Sequence, residues 1–282
     1  MKHIPVLLND VLDALGDIDG RTVVDCTFGA GGYSRAFLQR GAKVIAFDRD
    51  TNVVEDAEKL KQDYGDSFSF INAPFSEIKQ LKVGDVNDVV FDLGISSMQI
   101  DNAERGFSFR FDAPLDMRMD TRTGTTAADL INNLTVEDLA DVLYEYGDIK
   151  KSYKLAALLK EKKPATTFDL RDLIKNPADV APVFQALRIA VNDEMGQIKD
   201  ALNSVDKLLQ SGGRCICVTF HSLEDRIVKN TFRKWTEPDG DPRLPVINAP
   251  LYNLIKTKTP SAQEKETNPR ARSAHMRGVK KE

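Results

Sequence analysis

Through the first hundred residues short apolar runs alternate with segments of helical pattern. Thr22 to Cys26, Lys43 to Phe47, Ser67 to Asn72 and Asp88 to Phe91 each read as a buried strand. That alternation predicts a parallel sheet with crossover helices. Between the first two strands, Gly29-Ala-Gly31-Gly32 opens a helix from Tyr33 to Arg40 that Gly41 closes.

The rhythm breaks at about Thr125. Up to Pro182, helical segments at 135–146, 152–162 and 168–176 follow one another without a strand, with Thr135 and Thr167 in N-cap settings ahead of Asp138 and Asp169. This predicts an inserted all-helical lobe. The expected division is a sheet domain at 1–106 and 184–282 around a helical domain at 107–183. From Phe184 to Leu209 apolar residues recur at three- and four-residue steps, reading as one long amphipathic helix ended by Gly212-Gly213. Cys215 to Phe220 is then a further buried strand. His221-Ser-Leu-Glu-Asp225 starts a helix with Ser222 and Asp225 at cap-like spacing, and an edge strand is expected near Leu251 to Ile255.

Composition changes this picture little, since 41% apolar and 29% charged residues are ordinary for a soluble globular chain. No apolar window is long enough for a membrane span, and the start turns acidic too soon for a signal peptide, so a cytoplasmic protein is expected. Cys26, Cys215 and Cys217 fall in strand-like segments without a second ligand pair, so neither a disulfide framework nor a metal site is expected. The net charge of −4 is uneven: from Leu251 to Glu282 eight Lys/Arg face three Asp/Glu, leaving a +5 tail on a −9 body. A basic arm suits a local polyanion contact, and it equally suits a solvated tail.

Candidate chemistry concentrates at the strand ends. Asp25 precedes the glycine turn, and Asp48 ends the next strand about twenty residues on, where a carboxylate can accept ribose hydroxyls. A dinucleotide would set its pyrophosphate beside Asp25, which is unfavourable. The sulfonium and ammonium of S-adenosylmethionine would suit Asp25 and Asp92. Asp25 as a plain turn cap remains the alternative. After Asp92 the chain becomes a loop rich in arginine and phenylalanine: Arg105, Phe107, Phe109, Arg110, Phe111 and Arg118. Such a loop offers phosphate contacts and stacking surfaces, although core phenylalanines with solvated arginines fit the same composition.

These pieces resemble the bacterial ribosomal RNA cytosine-N4 methyltransferase family, the small-subunit RNA methyltransferase H group also called MraW. The landmarks span nearly the whole chain: His3-Ile-Pro-Val-Leu-Leu, Asp25-Cys-Thr-Phe-Gly-Ala-Gly-Gly-Tyr-Ser, Asp48-Arg-Asp, Asp92-Leu-Gly-Ile-Ser-Ser, Arg105-Gly-Phe-Ser-Phe and Pro114-Leu-Asp-Met-Arg-Met. They continue with Phe184-Gln-Ala-Leu-Arg-Ile, Phe220-His-Ser-Leu-Glu-Asp-Arg and Asn268-Pro-Arg-Ala-Arg-Ser. The resemblance implies an α/β, class I (Rossmann-like) S-adenosylmethionine-dependent methyltransferase sheet with an inserted all-helical substrate-recognition domain. It implies N4-methylation of a cytidine in the P-site region of 16S rRNA, with the small ribosomal subunit as partner and room for a homodimer. By position it carries cofactor binding onto Gly31, Gly32, Tyr33, Asp48, Phe75, Asp92 and Gln99.

Three positions depart from the family pattern. Tyr33 stands where histidine is usual, Gly147-Asp-Ile-Lys150 replaces Gly-Glu-Glu-Arg, and Asp179-Val-Ala-Pro-Val183 replaces His-Pro-Ala-Thr-Arg. Asp92 is the expected catalytic residue, an acceptor that orients the amine. The Asp/Asn-Pro-Pro-Tyr/Phe of other amino-methyltransferases is absent, so Phe107, Phe109 or Phe111 is expected to stack on the extruded base. Arg105, Arg118, Arg270 and Arg272 are the expected phosphate contacts. His221 either binds phosphate, relays a proton or simply bonds backbone. Competing readings are an RNA-binding ribosome-assembly factor without catalysis and a nicotinamide-dependent oxidoreductase.

Overall fold

A computed structural model describes residues 5–82, 86–238 and 249–282. The landmark at the N-terminus therefore loses His3 and Ile4, which lie outside the described residues. The chain divides into two compact units, Met1–Gly94 with Met195–Glu282, and Ile95–Glu194. The expected division fell at 106/107 and 183/184. Among the described residues no helix is long and apolar enough to cross a membrane.

In the first unit β1 (Thr22–Asp25), β2 (Lys43–Phe47), β3 (Phe68–Ile71), β4 (Val86–Asp92), β5 (Leu209–Thr219), β6 (Tyr252–Lys258) and β7 (His275–Lys281) form one sheet in the order β3-β2-β1-β4-β5-β7-β6. The first five are parallel, and β7 runs antiparallel between β5 and β6. Strand order reverses between β1 and β4, which opens a crevice at their carboxyl ends. Asp25 and Asp92 sit there. The inner strands are apolar on both faces, with Val23, Val24, Val89, Val90 and Ile216 fully buried.

The basic tail is not a free arm. It supplies β6 and β7, and Arg277 pairs with Asp225 through two contacts of 2.7 and 2.8 Å. The expected edge strand is β6, whereas β7 gave no apolar run to read. Gly212 and Gly213 lie inside β5 rather than ending a helix. A Cβ on Gly213 would stand 2.4 Å from the carbonyl oxygen of Asn87, where the β4–β5 register shifts, so only glycine fits.

The second unit is helical: Ala127–Asn133, Val136–Gly147, Ser152–Lys162, Thr167–Leu173 and Pro177–Asn192. Ile131, Leu139, Leu143, Leu159, Leu170 and Leu187 build its core. Thr135 caps its helix as expected, accepting from the Asp138 N–H. The next cap is Thr166, not Thr167, because Thr166 and Asp169 form a reciprocal capping box. Thr167 is instead buried, its hydroxyl donating to the Phe111 carbonyl at 2.6 Å. The long helix expected from Phe184 is two: Pro177–Asn192 runs through Pro182 and stops where Asp193 turns left-handed (φ 46°), and Glu194–Leu208 follows.

Candidate active site

The site is built on the carboxyl ends of β1, β2, β4 and β5. After β1 the chain turns through Gly29 and Gly31, both at positive φ, into the helix Gly32–Leu38. The glycines are required by packing as well as by any ligand. A Cβ on Gly31 would meet the Phe28 ring at 2.9 Å, and one on Gly32 would meet Pro5 at 2.4 Å. Tyr33 is buried, and its hydroxyl donates to the Val6 carbonyl. Its side chain thus holds the N-terminal segment, leaving backbone as what it can offer a ligand.

Asp25 is fully buried and does cap the turn, accepting from the Thr27 N–H at 3.1 Å and the Ser34 hydroxyl at 2.6 Å. Burial outweighs these bonds and pushes its pKa up to about 6. Asp48, just past β2, accepts from Gly29 N–H at 2.8 Å and Asp50 N–H at 2.9 Å. Burial raises its pKa to about 6 as well. Each of its oxygens retains a second lone pair for a ribose hydroxyl. Phe75 opens the short helix Phe75–Gln80 and packs edge-on against Phe91 at 5.6 Å.

Asp92 ends β4, its N–H held by the Thr27 hydroxyl at 2.7 Å. Part of the residue remains accessible, yet Oδ1 is shielded from solvent and has no hydrogen-bond partner. Burial first, then the charges of Asp25 and Glu224, raises its pKa well above the ordinary value. A shielded acceptor without a donor is what a donor-bearing or cationic ligand would complete.

Glu224 was missed by the sequence reading, which took Ser222 and Asp225 as the cap of the helix Ser222–Trp235. The cap is Glu224: its Oε2 accepts from the N–H groups of Phe220 and His221 at 2.8 and 3.2 Å. The His221-x-x-Glu224 spacing was the available signal.

The second unit holds the remaining expected residues. Gln99 is buried and its amide oxygen accepts from Ser96 N–H, capping its own helix Ser97–Asp101. Arg105 is buried, donating to the carbonyls of Arg118 and Met119 at 2.9 and 3.0 Å, so its guanidinium ties the loop together instead of facing phosphate. Phe107 belongs to the core, and Phe109 packs edge-on against Phe184 at 5.5 Å. Phe111 is 49% exposed, the one ring of the three left for stacking. Arg118 is paired with Asp116 at 2.7 Å. In the first unit, Arg270 is half-buried and Arg272 exposed, on the short helix Pro269–Ser273.

A model of the MraW methylase family matches residues 1–282. Ribosomal RNA small subunit methyltransferase H of Caulobacter vibrioides is 46% identical over 298 residues, covering 98% of this chain and 94% of its own. The protein of that name from Rickettsia massiliae is 40% identical over 307 residues, covering 99% and 98%. A solved rRNA methylase from Streptococcus thermophilus overlaps 100% of this chain and 98% of its own at 14% identity and a TM-score of 0.42.

Proposed function

The chain belongs to the MraW methylase family, and we propose that within it the protein methylates N4 of a cytidine in the P-site region of 16S rRNA of the small ribosomal subunit. It is an S-adenosylmethionine-dependent methyltransferase with a class I α/β sheet. The rRNA substrate follows the names of its relatives. One observation carries the amine chemistry: the partnerless Oδ1 of Asp92 at the crevice where strand order reverses.

The cofactor's charge fits these residues. Asp25, Asp48 and Asp92 all hold protons more tightly than ordinary carboxylates, and a sulfonium or ammonium nearby favours their ionised forms. Bound S-adenosylmethionine supplies an electrophilic methyl on a cationic sulfur. Asp48 takes the ribose hydroxyls, Phe75 presents its ring to adenine, and Gly31, Gly32 and Tyr33 contribute backbone. Gln99 joins this set on family resemblance alone.

Cytosine N4 is a weak nucleophile because its lone pair is delocalised into the ring. Asp92 accepts an amino hydrogen on Oδ1 and so turns the lone pair toward the methyl carbon. The helical unit recognises the RNA, with Phe111 stacking on the extruded base, and Arg272 contacts phosphate. Such a substrate places the enzyme in the cytoplasm.

Mass spectrometry of small-subunit rRNA from cells with and without the protein tests the reading. An N4-methylcytidine should disappear on deletion and return on complementation. Unchanged methylation at every cytidine overturns it.

A further inference from the structure

We propose that Glu224 is a second catalytic carboxylate of this site, taking the proton that the newly methylated amine sheds and passing it to His221. The inference rests on the amine-methylation reading above and adds the base that reading lacks.

Glu224 is fully buried, and its two oxygens have different surroundings. Oε2 receives both backbone N–H bonds and completes the helix cap. Oε1 has no hydrogen-bond partner. It stands 3.1 Å from His221 Nε2 without hydrogen-bond alignment, and both ring nitrogens of His221 also lack partners. Oε1 lies against the turn that follows Asp92: a Cβ placed on Gly94 would be 3.7 Å from it. Asp92 and Glu224 therefore line the ends of adjacent strands, β4 and β5, each with one unmatched acceptor.

Capping explains only half of this carboxylate. A cap needs one oxygen, and burying a second without a donor is unfavourable. An exocyclic amine brings two hydrogens, so one acceptor suits Asp92 and the other suits Glu224. In the transfer, N4 forms its bond to the methyl carbon and the methyl–sulfur bond breaks with its electron pair on sulfur. The amine, now carrying one proton too many, gives it to Oε1, which becomes a carboxylic acid. His221 Nε2 then takes that proton, and because both ring nitrogens are shielded from solvent the imidazolium keeps it until the product leaves and water enters the site.

Glu224→Gln separates the two roles, because the amide oxygen can still cap Phe220 and His221 while an NH2 donor replaces Oε1. The readout is single-turnover methyl transfer to small subunits from cells lacking the protein, at saturating RNA and cofactor. We expect a fall of about 100-fold with S-adenosylhomocysteine affinity, subunit affinity and Tm unchanged. His221→Asn, which spares the cap, should lower the same rate about tenfold. A wild-type rate for Glu224→Gln overturns the proposal, as does a loss matched by weaker cofactor binding or lower Tm. Should Glu224→Gln not fold, an unchanged rate in His221→Asn overturns it. If the wild-type protein transfers no methyl to RNA, the functional reading itself has failed and this inference goes with it.

Discussion

At the strand ends of the sheet unit, Asp92 and Glu224 each keep a buried oxygen without a partner. In the loop that opens the helical unit the charged ends are held: Arg105 Nη2 by two carbonyls, Arg118 by Asp116, Arg122 by Asp120. The sequences look alike in charge, and the arrangements have opposite consequences. Unmatched buried acceptors weaken the fold and are tolerated where a ligand supplies the missing donor. Matched ones hold a loop in shape and leave recognition to whatever protrudes, here Phe111.

The largest effect expected from that contrast is at Asp92. Asp92→Asn should slow single-turnover methyl transfer by about 1,000-fold, roughly 4 kcal/mol of barrier, because the acceptor for the amine becomes a mixed donor. The same change should raise the Tm of the cofactor-free protein, since a buried carboxylate with a raised pKa is removed. A variant that loses both rate and stability would mean the residue is structural and the contrast is false.

The second effect is a pH dependence confined to the sheet unit. Asp25 has a folded pKa of about 6 against an ordinary 3.8, so the fold prefers its protonated form. Below about pH 4 both folded and unfolded chains hold the proton and nothing is lost. As pH rises from 4 to 6 the unfolded chain releases it first, and above 6 the fold is weaker by about 3 kcal/mol. A cationic cofactor offsets this by favouring the carboxylate. Thermal melts should show S-adenosylmethionine raising Tm more at pH 7.5 than at pH 5. An equal shift at both would sever cofactor binding from Asp25 and Asp48.

How much of this was legible in the sequence follows the same physics. Strand ends at Asp25, Asp48 and Asp92 could be read because apolar runs, carboxylates and glycine turns occur together within a few residues. The capping role of Glu224 was readable from its spacing to His221, but its unpartnered oxygen was not, since that depends on which oxygen the backbone of Phe220 and His221 occupies. The strand β7 was hidden for a related reason: His275, Arg277, Lys280 and Lys281 look like a solvated tail until pairing with β5 buries Met276 and Val279 between them. Arg105 and Phe107 read as RNA contacts because composition cannot tell a guanidinium bonded to carbonyls from one facing phosphate.

The third effect tests the matched side. Arg105→Ala leaves the Arg118 and Met119 carbonyls without their donor, which should lower stability by about 2 kcal/mol. S-adenosylhomocysteine affinity of the folded protein should stay as in wild type, measured by calorimetry below the shifted Tm. Weaker cofactor binding without lost stability would show that the guanidinium faces a ligand after all.

The smallest effect separates two of the three phenylalanines of that loop. Phe107 is 7% exposed and Phe111 is 49% exposed, so truncating them removes different things. Phe107→Ala opens a cavity in the helical core and should be read in Tm. Phe111→Ala removes little packing, and its Tm should match wild type. If its ring stacks on a base, the loss is about 1 kcal/mol, a fivefold weaker affinity for small-subunit RNA at fixed salt. Stacking is insensitive to salt whereas phosphate contacts are not, so the slope of affinity against salt should stay constant in Phe111→Ala and become shallower in Arg272→Ala. A Phe111 variant with unchanged affinity would move recognition to the helical unit's other exposed rings, Tyr144 and Tyr153, and its polar surface.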